Sequence, residues 1–90
     1  MELQKQEWYD NLIEECRAII VESIFSSRWA LIEGYHQLGK RITEEQKNFE
    51  KYQVYGQKIV NCCAESLNKS PRVVWYAIQF YKKYPKLDEL

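Results

Sequence analysis

Apolar residues recur along the first half of the chain at Trp8, Leu12, Cys16, Ile20 and Ile24, with Ile13 and Ile19 widening the stripe. Steps of four with three-residue companions put these side chains on one face of an α-helix. The pattern resumes at Trp29, Ile32, Tyr35, Leu38 and Ile42. No proline interrupts Gln4 to Gln46, the only glycines there are Gly34 and Gly39, and Ser26-Ser27 is the one plausible break. The pattern admits one long helix, bent at the serines or near a glycine, or two helices in tandem. One helix is the simpler expectation, because two serines cost little within a helix and no strong stop signal is present. A helix of some 40 residues would measure roughly 60 Å. So long a rod cannot bury its stripe against the rest of so short a chain, which implies a homodimer or a protein partner along Trp8, Leu12, Ile20 and Ile24.

The second half divides more finely. The polar stretch 48–53 reads as the loop between halves. Residues 52–67 read as a helix with Val54, Ile59, Cys62 or Cys63, Ala64 and Leu67 inward. Asn68-Lys69 is a turn, Ser70 is a good N-cap, and Pro71 falls at the first helical position, where its missing N–H does no harm. The helix 71–84 carries Val74, Ala77, Ile78 and Tyr81 on one face and is stopped by Pro85, which disfavours helical backbone in the residue before it. No stretch alternates with a period of two, so no sheet is expected. The pattern thus predicts a single all-α domain: a long helix or helical hairpin over 1–47, then a helix-turn-helix over 52–85.

Composition narrows the class. Ninety residues, 46% of them apolar and 29% charged, form one small globular domain rather than a disordered chain. Aromatics at 14% exceed what a small core needs, and a surplus of them often ends at an interface. No apolar run approaches the roughly 20 residues that cross a bilayer. The N-terminus is polar and acidic, unlike a secretory signal, and without one the closing Leu87-Asp88-Glu89-Leu90 is only superficially like an endoplasmic-reticulum retrieval tail. Three cysteines, two of them adjacent, make no disulfide framework and fit a reducing cytoplasm. The zero net charge hides an asymmetry. Residues 1–50 hold ten acids and six bases, and residues 51–90 hold seven bases and three acids, so the halves stand at −4 and +4. A neutral chain with one basic half can bind phosphate locally.

The segment 63–77 has the internal spacing of a helix-turn-helix. Ala64 is small where two steeply crossed helices must approach, Leu67 closes the first helix onto the second, and Asn68 is the best non-glycine residue for a turn that needs positive φ. The outward face of the second helix then carries Ser70, Arg72, Trp75, Tyr76 and Gln79, with Lys69 in the turn. In this motif the start of the second helix enters the major groove of double-stranded DNA. Arg72 has the fork for a bidentate contact to guanine and Gln79 the amide for a base edge. Lys69 and Ser70 would meet phosphates, and Trp75 and Tyr76 would meet thymine methyls or sugars. The competing expectation is a capped helix in an ordinary bundle, with the two aromatics in the core or against a protein.

Trp29 through Pro85 resembles the N-terminal domain of unknown function that precedes the PD-(D/E)XK nuclease domain in YhcG-type bacterial proteins. The resemblance rests on Leu38-Gly39-Lys40-Arg41-Ile42, Tyr55-Gly56 and Gln79-Phe80-Tyr81-Lys82-Lys83-Tyr84-Pro85. The run from Ser70-Pro71 to Tyr81 is also similar to short phage and mobile-element proteins. The resemblance implies a helical, helix-turn-helix-like module, often attached to a nuclease. This sequence stops before any nuclease domain, and Lys69 with Pro71-Arg72 replaces a longer, more variable loop.

Nothing in the sequence builds an enzyme. His36 has no ligand or oriented partner nearby in sequence and reads as a surface residue. Adjacent helical residues point about 100° apart, so Cys62 and Cys63 do not share a metal, and one reads as core and the other as partly exposed. Glu14-Glu15 and Glu44-Glu45 read as solvated helix faces. No phosphate loop, dinucleotide fingerprint, metal set or cofactor motif occurs. The expectation is a non-catalytic, cytoplasmic, DNA-binding module acting as a dimer and without cofactors. The rival is a protein-interaction module, an adaptor or inhibitor, using Trp75, Tyr76 and the long helix. A third is the recruiting N-terminal part of a larger nuclease.

Overall fold

The computed structural model describes residues 2–24 and 28–87. A 3-10 turn at Glu2–Lys5 leads into α1 (Glu7–Ile24), followed by α2 (Arg28–Glu44), α3 (Gln46–Lys51), α4 (Gln57–Leu67) and α5 (Pro71–Lys83), with no strand among the described residues. The all-α expectation holds. The first half, however, is two helices rather than one. α2 packs along α1 and returns beside it, so Arg41 meets Glu15 and Trp8 meets Phe49. Overall extents of 37 × 25 × 20 Å leave no room for the single rod. The expected break at Ser26-Ser27 lies outside the described residues.

That hairpin corrects the case for self-association. The stripe assigned to a partner is covered by the chain itself: Leu12 is fully buried, and Trp8 and Ile20 pack against the same core. The side chain of Ile24 lies outside the described residues. With its stripe folded inward, α1 no longer needs a second chain to cover it.

The tightest constraint in the core is where α2 crosses α5. A Cβ added at Gly39 would stand 2.0 Å from the carbonyl oxygen of Ala77 and 2.6 Å from its carbon. Only hydrogen at both crossing points, or hydrogen against a methyl, lets two helix backbones approach so closely. Leu38, Ile42, Val74, Ala77 and Ile78 are buried around the crossing, and α4 adds Val60, Cys63, Ala64 and Leu67 from its inner face.

Polarity misplaced the loop between halves. The stretch expected to be a loop, 48–53, overlaps the larger part of α3, whose Phe49 is fully buried against Trp8 and Tyr9 at ring separations of 5.1 and 6.2 Å. One aromatic anchors this six-residue helix, too short a segment for periodicity to register. The loop proper follows. Gln53 takes φ +60°, and the N–H of Val54 donates to Phe49 O at 3.0 Å, which turns the Val54 side chain into the core. Gly56 then takes φ +50°, so α4 begins at Gln57 rather than at Tyr52.

Two polar residues, His36 and Glu45, also depart from expectation, and a third, Tyr9, makes a tie between helices. His36 is buried at 8% exposure, pairs through Nε2 with Tyr84 O at 2.8 Å, and meets the ring edges of Phe80 and Tyr81. It faces α5 because it lies one turn before Gly39 on the crossing face. Glu45 is not on a solvated face: it accepts from Arg41 Nη1 at 2.7 Å and from Asn48 Nδ2 at 2.6 Å, while Arg41 Nε reaches Glu15. Tyr9 ties α1 to α4, its hydroxyl lying 2.6 Å from Ser66 Oγ and donating to Cys62 O at 3.1 Å. Arg17 adds a bond to Ser66 O at 2.9 Å.

The cysteines divide as the pattern predicts. Cys63 is fully buried and Cys62 partly exposed, Cys16 is buried, and all are free. Burial pushes the Cys16 thiol from its usual 9.0 up to about 12 and raises Cys63 as well.

Two outcomes follow. Gly39→Ala should destabilise the fold by at least about 1–3 kcal/mol, since the obstructing atoms are backbone and cannot rotate away; an unchanged urea midpoint would contradict the close crossing. In the native chain Cys62 should react with a thiol reagent well before Cys16 and Cys63. Because the folded chain keeps thiol protons that the unfolded chain releases, stability should fall as pH rises above 9.0, the usual value for these thiols. Uniform labelling of all three, or alkaline stabilisation, would contradict this assignment.

Candidate nucleic-acid interface

The turn between α4 and α5 is built as its residues demand. Asn68 sits in the left-handed region at φ 56°, ψ 44°, which an asparagine tolerates and a β-branched residue does not. The N–H groups of Lys69 and Asn68 donate back to Ala64 O at 2.9 Å and Glu65 O at 3.2 Å, satisfying carbonyls that α4 leaves open at its end. Ser70 is extended at φ −72°, ψ 147°, and its hydroxyl accepts a long bond of 3.4 Å from Val73 N–H. Pro71 opens α5.

This geometry fixes which way α5 faces. Val74, Ala77 and Ile78 are buried against α2 and α4, and Arg72, Trp75, Tyr76 and Gln79 lie along the opposite, exposed stripe. Lys69 and Ser70 are exposed at its leading end. All six residues assigned to DNA contact therefore share one accessible surface. The alternative placing the two aromatics in the core fails, since Trp75 is 43% and Tyr76 55% exposed. Their rings meet edge to face at 5.2 Å.

The structure also gathers residues that the sequence did not assign. Lys82 and Lys83 extend the stripe into the last turn of α5. Tyr35 from α2 joins Tyr76, Gln79, Phe80, Lys83 and Tyr84 around a shallow apolar hollow. Across Gln79 from this hollow, a more enclosed cleft of about 210 Å³ lies between α5, α4, the end of α2 and the start of α3, with Trp75 in its wall. Tyr35 and Gln57 come to this surface through tertiary packing alone. A useful sequence signal for Tyr35 was Gly39, one turn on, since a glycine amid an apolar helical stripe marks a close crossing.

Charge over this surface has one sign. No Asp or Glu occurs between Glu65 and Asp88, whereas Lys69, Arg72, Lys82, Lys83 and Lys86 do. No carboxylate lines the cleft or either neighbouring hollow, and among the described residues none of these cations is ion-paired. The exposed face of α1, by contrast, carries Glu7, Asp10, Glu14 and Glu22. Among the described residues no cluster of His, Cys, Asp and Glu could hold a metal, and no helix is long and apolar enough to cross a membrane.

A search of protein-family models, curated proteins and solved structures finds none that matches this chain.

Proposed function

We propose that the protein is a non-catalytic DNA-binding module that meets double-stranded DNA with the exposed stripe of α5. The observation that carries this is the coincidence of an outward-facing, capped helix with a surface that holds arginine and lysines and no carboxylate. The left-handed turn at Asn68 aims the start of α5 away from the core, as a helix that enters a groove requires. Arg72 supplies the bidentate fork for guanine and Gln79 the paired donor and acceptor of an amide. Lys69, Lys82 and Lys83 provide phosphate contacts at both ends of the stripe. The exposed carboxylates of α1 would be repelled by a duplex, which favours approach through α5.

A second proposal has its own support. The hollow bounded by Tyr35, Tyr76 and Phe80 is mainly apolar, and exposed aromatics of this kind also anchor protein partners. An adaptor or inhibitor would use the same face. The exposed aromatics would also serve a homodimer, and the resemblance supports a recruiting role within a nuclease protein and a phage or mobile-element origin.

Salt separates the two. Affinity for a duplex should fall steeply as salt rises, with the log–log slope shrinking by about 0.9 for each phosphate contact removed. Lys69→Ala should weaken all duplexes alike, and Arg72→Ala should weaken binding by about 5- to 100-fold with a loss of sequence preference. Absence of duplex binding at low salt would rule out the DNA proposal.

A further inference from the structure

The cleft beside Trp75 has a composition that groove entry by a helix does not require. Its floor is Ile42, Val60 and Ile78, and its rim carries Thr43, Gln46, Gln57, Gln79 and Lys82. Three glutamine amides, one lysine, one indole and no carboxylate meet around about 210 Å³. Two of the amides are partly engaged, Gln46 with Glu50 at 3.2 Å and Gln57 with Asn61 at 3.0 Å, each through its nitrogen, so their carbonyl oxygens stay available. Gln79 has no hydrogen-bond partner among the described residues, although it is central to the stripe. Trp75 lines both this cleft and the neighbouring hollow, where Arg72 and Tyr76 stand with Pro71 and Gln57.

Each of these features answers to a part of a nucleotide. A planar base gains from an aromatic wall and an apolar floor, and its edge needs groups that both donate and accept, which side-chain amides are. The attached phosphate needs a cation at the mouth, and Lys82 and Arg72 flank Trp75 on either side along α5. A base paired within a duplex cannot reach such a cleft, because its faces are already stacked and its edge is taken.

We propose that the α5 surface binds single-stranded DNA next to a duplex, with one unpaired base seated in the cleft against Trp75 and the strand continuing over Tyr76 and Tyr35. The proposal rests on the DNA-binding function given above and specifies its substrate: duplex carrying a single-stranded extension, in preference to blunt duplex.

The test uses the full chain at low salt, with fluorescence anisotropy of a labelled blunt duplex and of the same duplex bearing a short single-stranded thymidine extension. The extension should raise affinity about tenfold, within the range of one or two stacked bases. That gain should disappear in Trp75→Leu, which keeps apolar bulk without a ring, and persist in Trp75→Phe. Gln79→Ala, at an exposed position, should reduce the gain without perturbing the fold, with circular dichroism checking both Trp75 variants. Equal affinity for the two DNAs overturns the proposal and leaves duplex binding standing. A gain that Trp75→Leu and Gln79→Ala leave intact also overturns it, because the base would then be held elsewhere. If neither DNA binds, the DNA-binding function itself fails and this inference with it.

Discussion

The backbone contact between Gly39 and Ala77 governs the layout of the molecule. It brings α2 and α5 closer than side chains of ordinary size allow. That approach buries the inner stripe of α5 on Val74, Ala77 and Ile78 and leaves Arg72, Trp75, Tyr76 and Gln79 nowhere to face but outward. It also sets Tyr35, one turn before Gly39, beside the outer face of α5, and draws His36 under the end of α5 to meet the carbonyl of Tyr84. Helices held at such a distance gain dense van der Waals contact over their whole crossing, and a change of one methyl group is felt there.

Around this crossing the remaining helices serve as supports. α1 and α3 enclose Trp8, Tyr9 and Phe49 in an aromatic cluster with edge-to-face rings, a geometry favoured by the charge distribution of the rings. Arg41 holds the end of α2 to α1 through Glu15 and to the start of α3 through Glu45. Burial opposes the charge of its guanidinium, but the two carboxylates outweigh that and raise its pKa above the usual value. The result is a molecule with two unlike sides: an acidic one on α1 and a cationic, aromatic one on α5. A chain with no net charge thereby acquires a surface that favours polyanions.

What the sequence disclosed depends on the range of the forces involved. The turn from Asn68 to Pro71 was legible because its determinants are local: a residue that tolerates positive φ, a hydroxyl cap and a ring with fixed φ, all within four positions. The outward stripe of α5 followed from helical periodicity. The hairpin of α1 and α2 was not distinguished from one rod, because an amphipathic stripe looks the same whether it meets another chain or its own continuation. Phe49 was hidden in a polar stretch too short for a period to show. His36 was misjudged because a partner far along the sequence, Tyr84, decides its environment; Glu45 was misjudged although its partners, Arg41 and Asn48, lie within four positions, because polarity alone does not tell a paired carboxylate from a solvated one. The cleft beside Trp75 was invisible because it is assembled by tertiary packing, its lining coming from four helices.

The proposed function requires that the α5 stripe be the surface that meets DNA. Backbone amide and indole NMR shifts recorded as a short duplex is added at low salt test this most directly. Perturbations should concentrate at Lys69, Ser70, Arg72, Trp75, Tyr76 and Gln79 and continue to Lys82 and Lys83, with the exposed acids of α1 unmoved. Perturbations centred on α1, or none anywhere on α5, would contradict the proposed function.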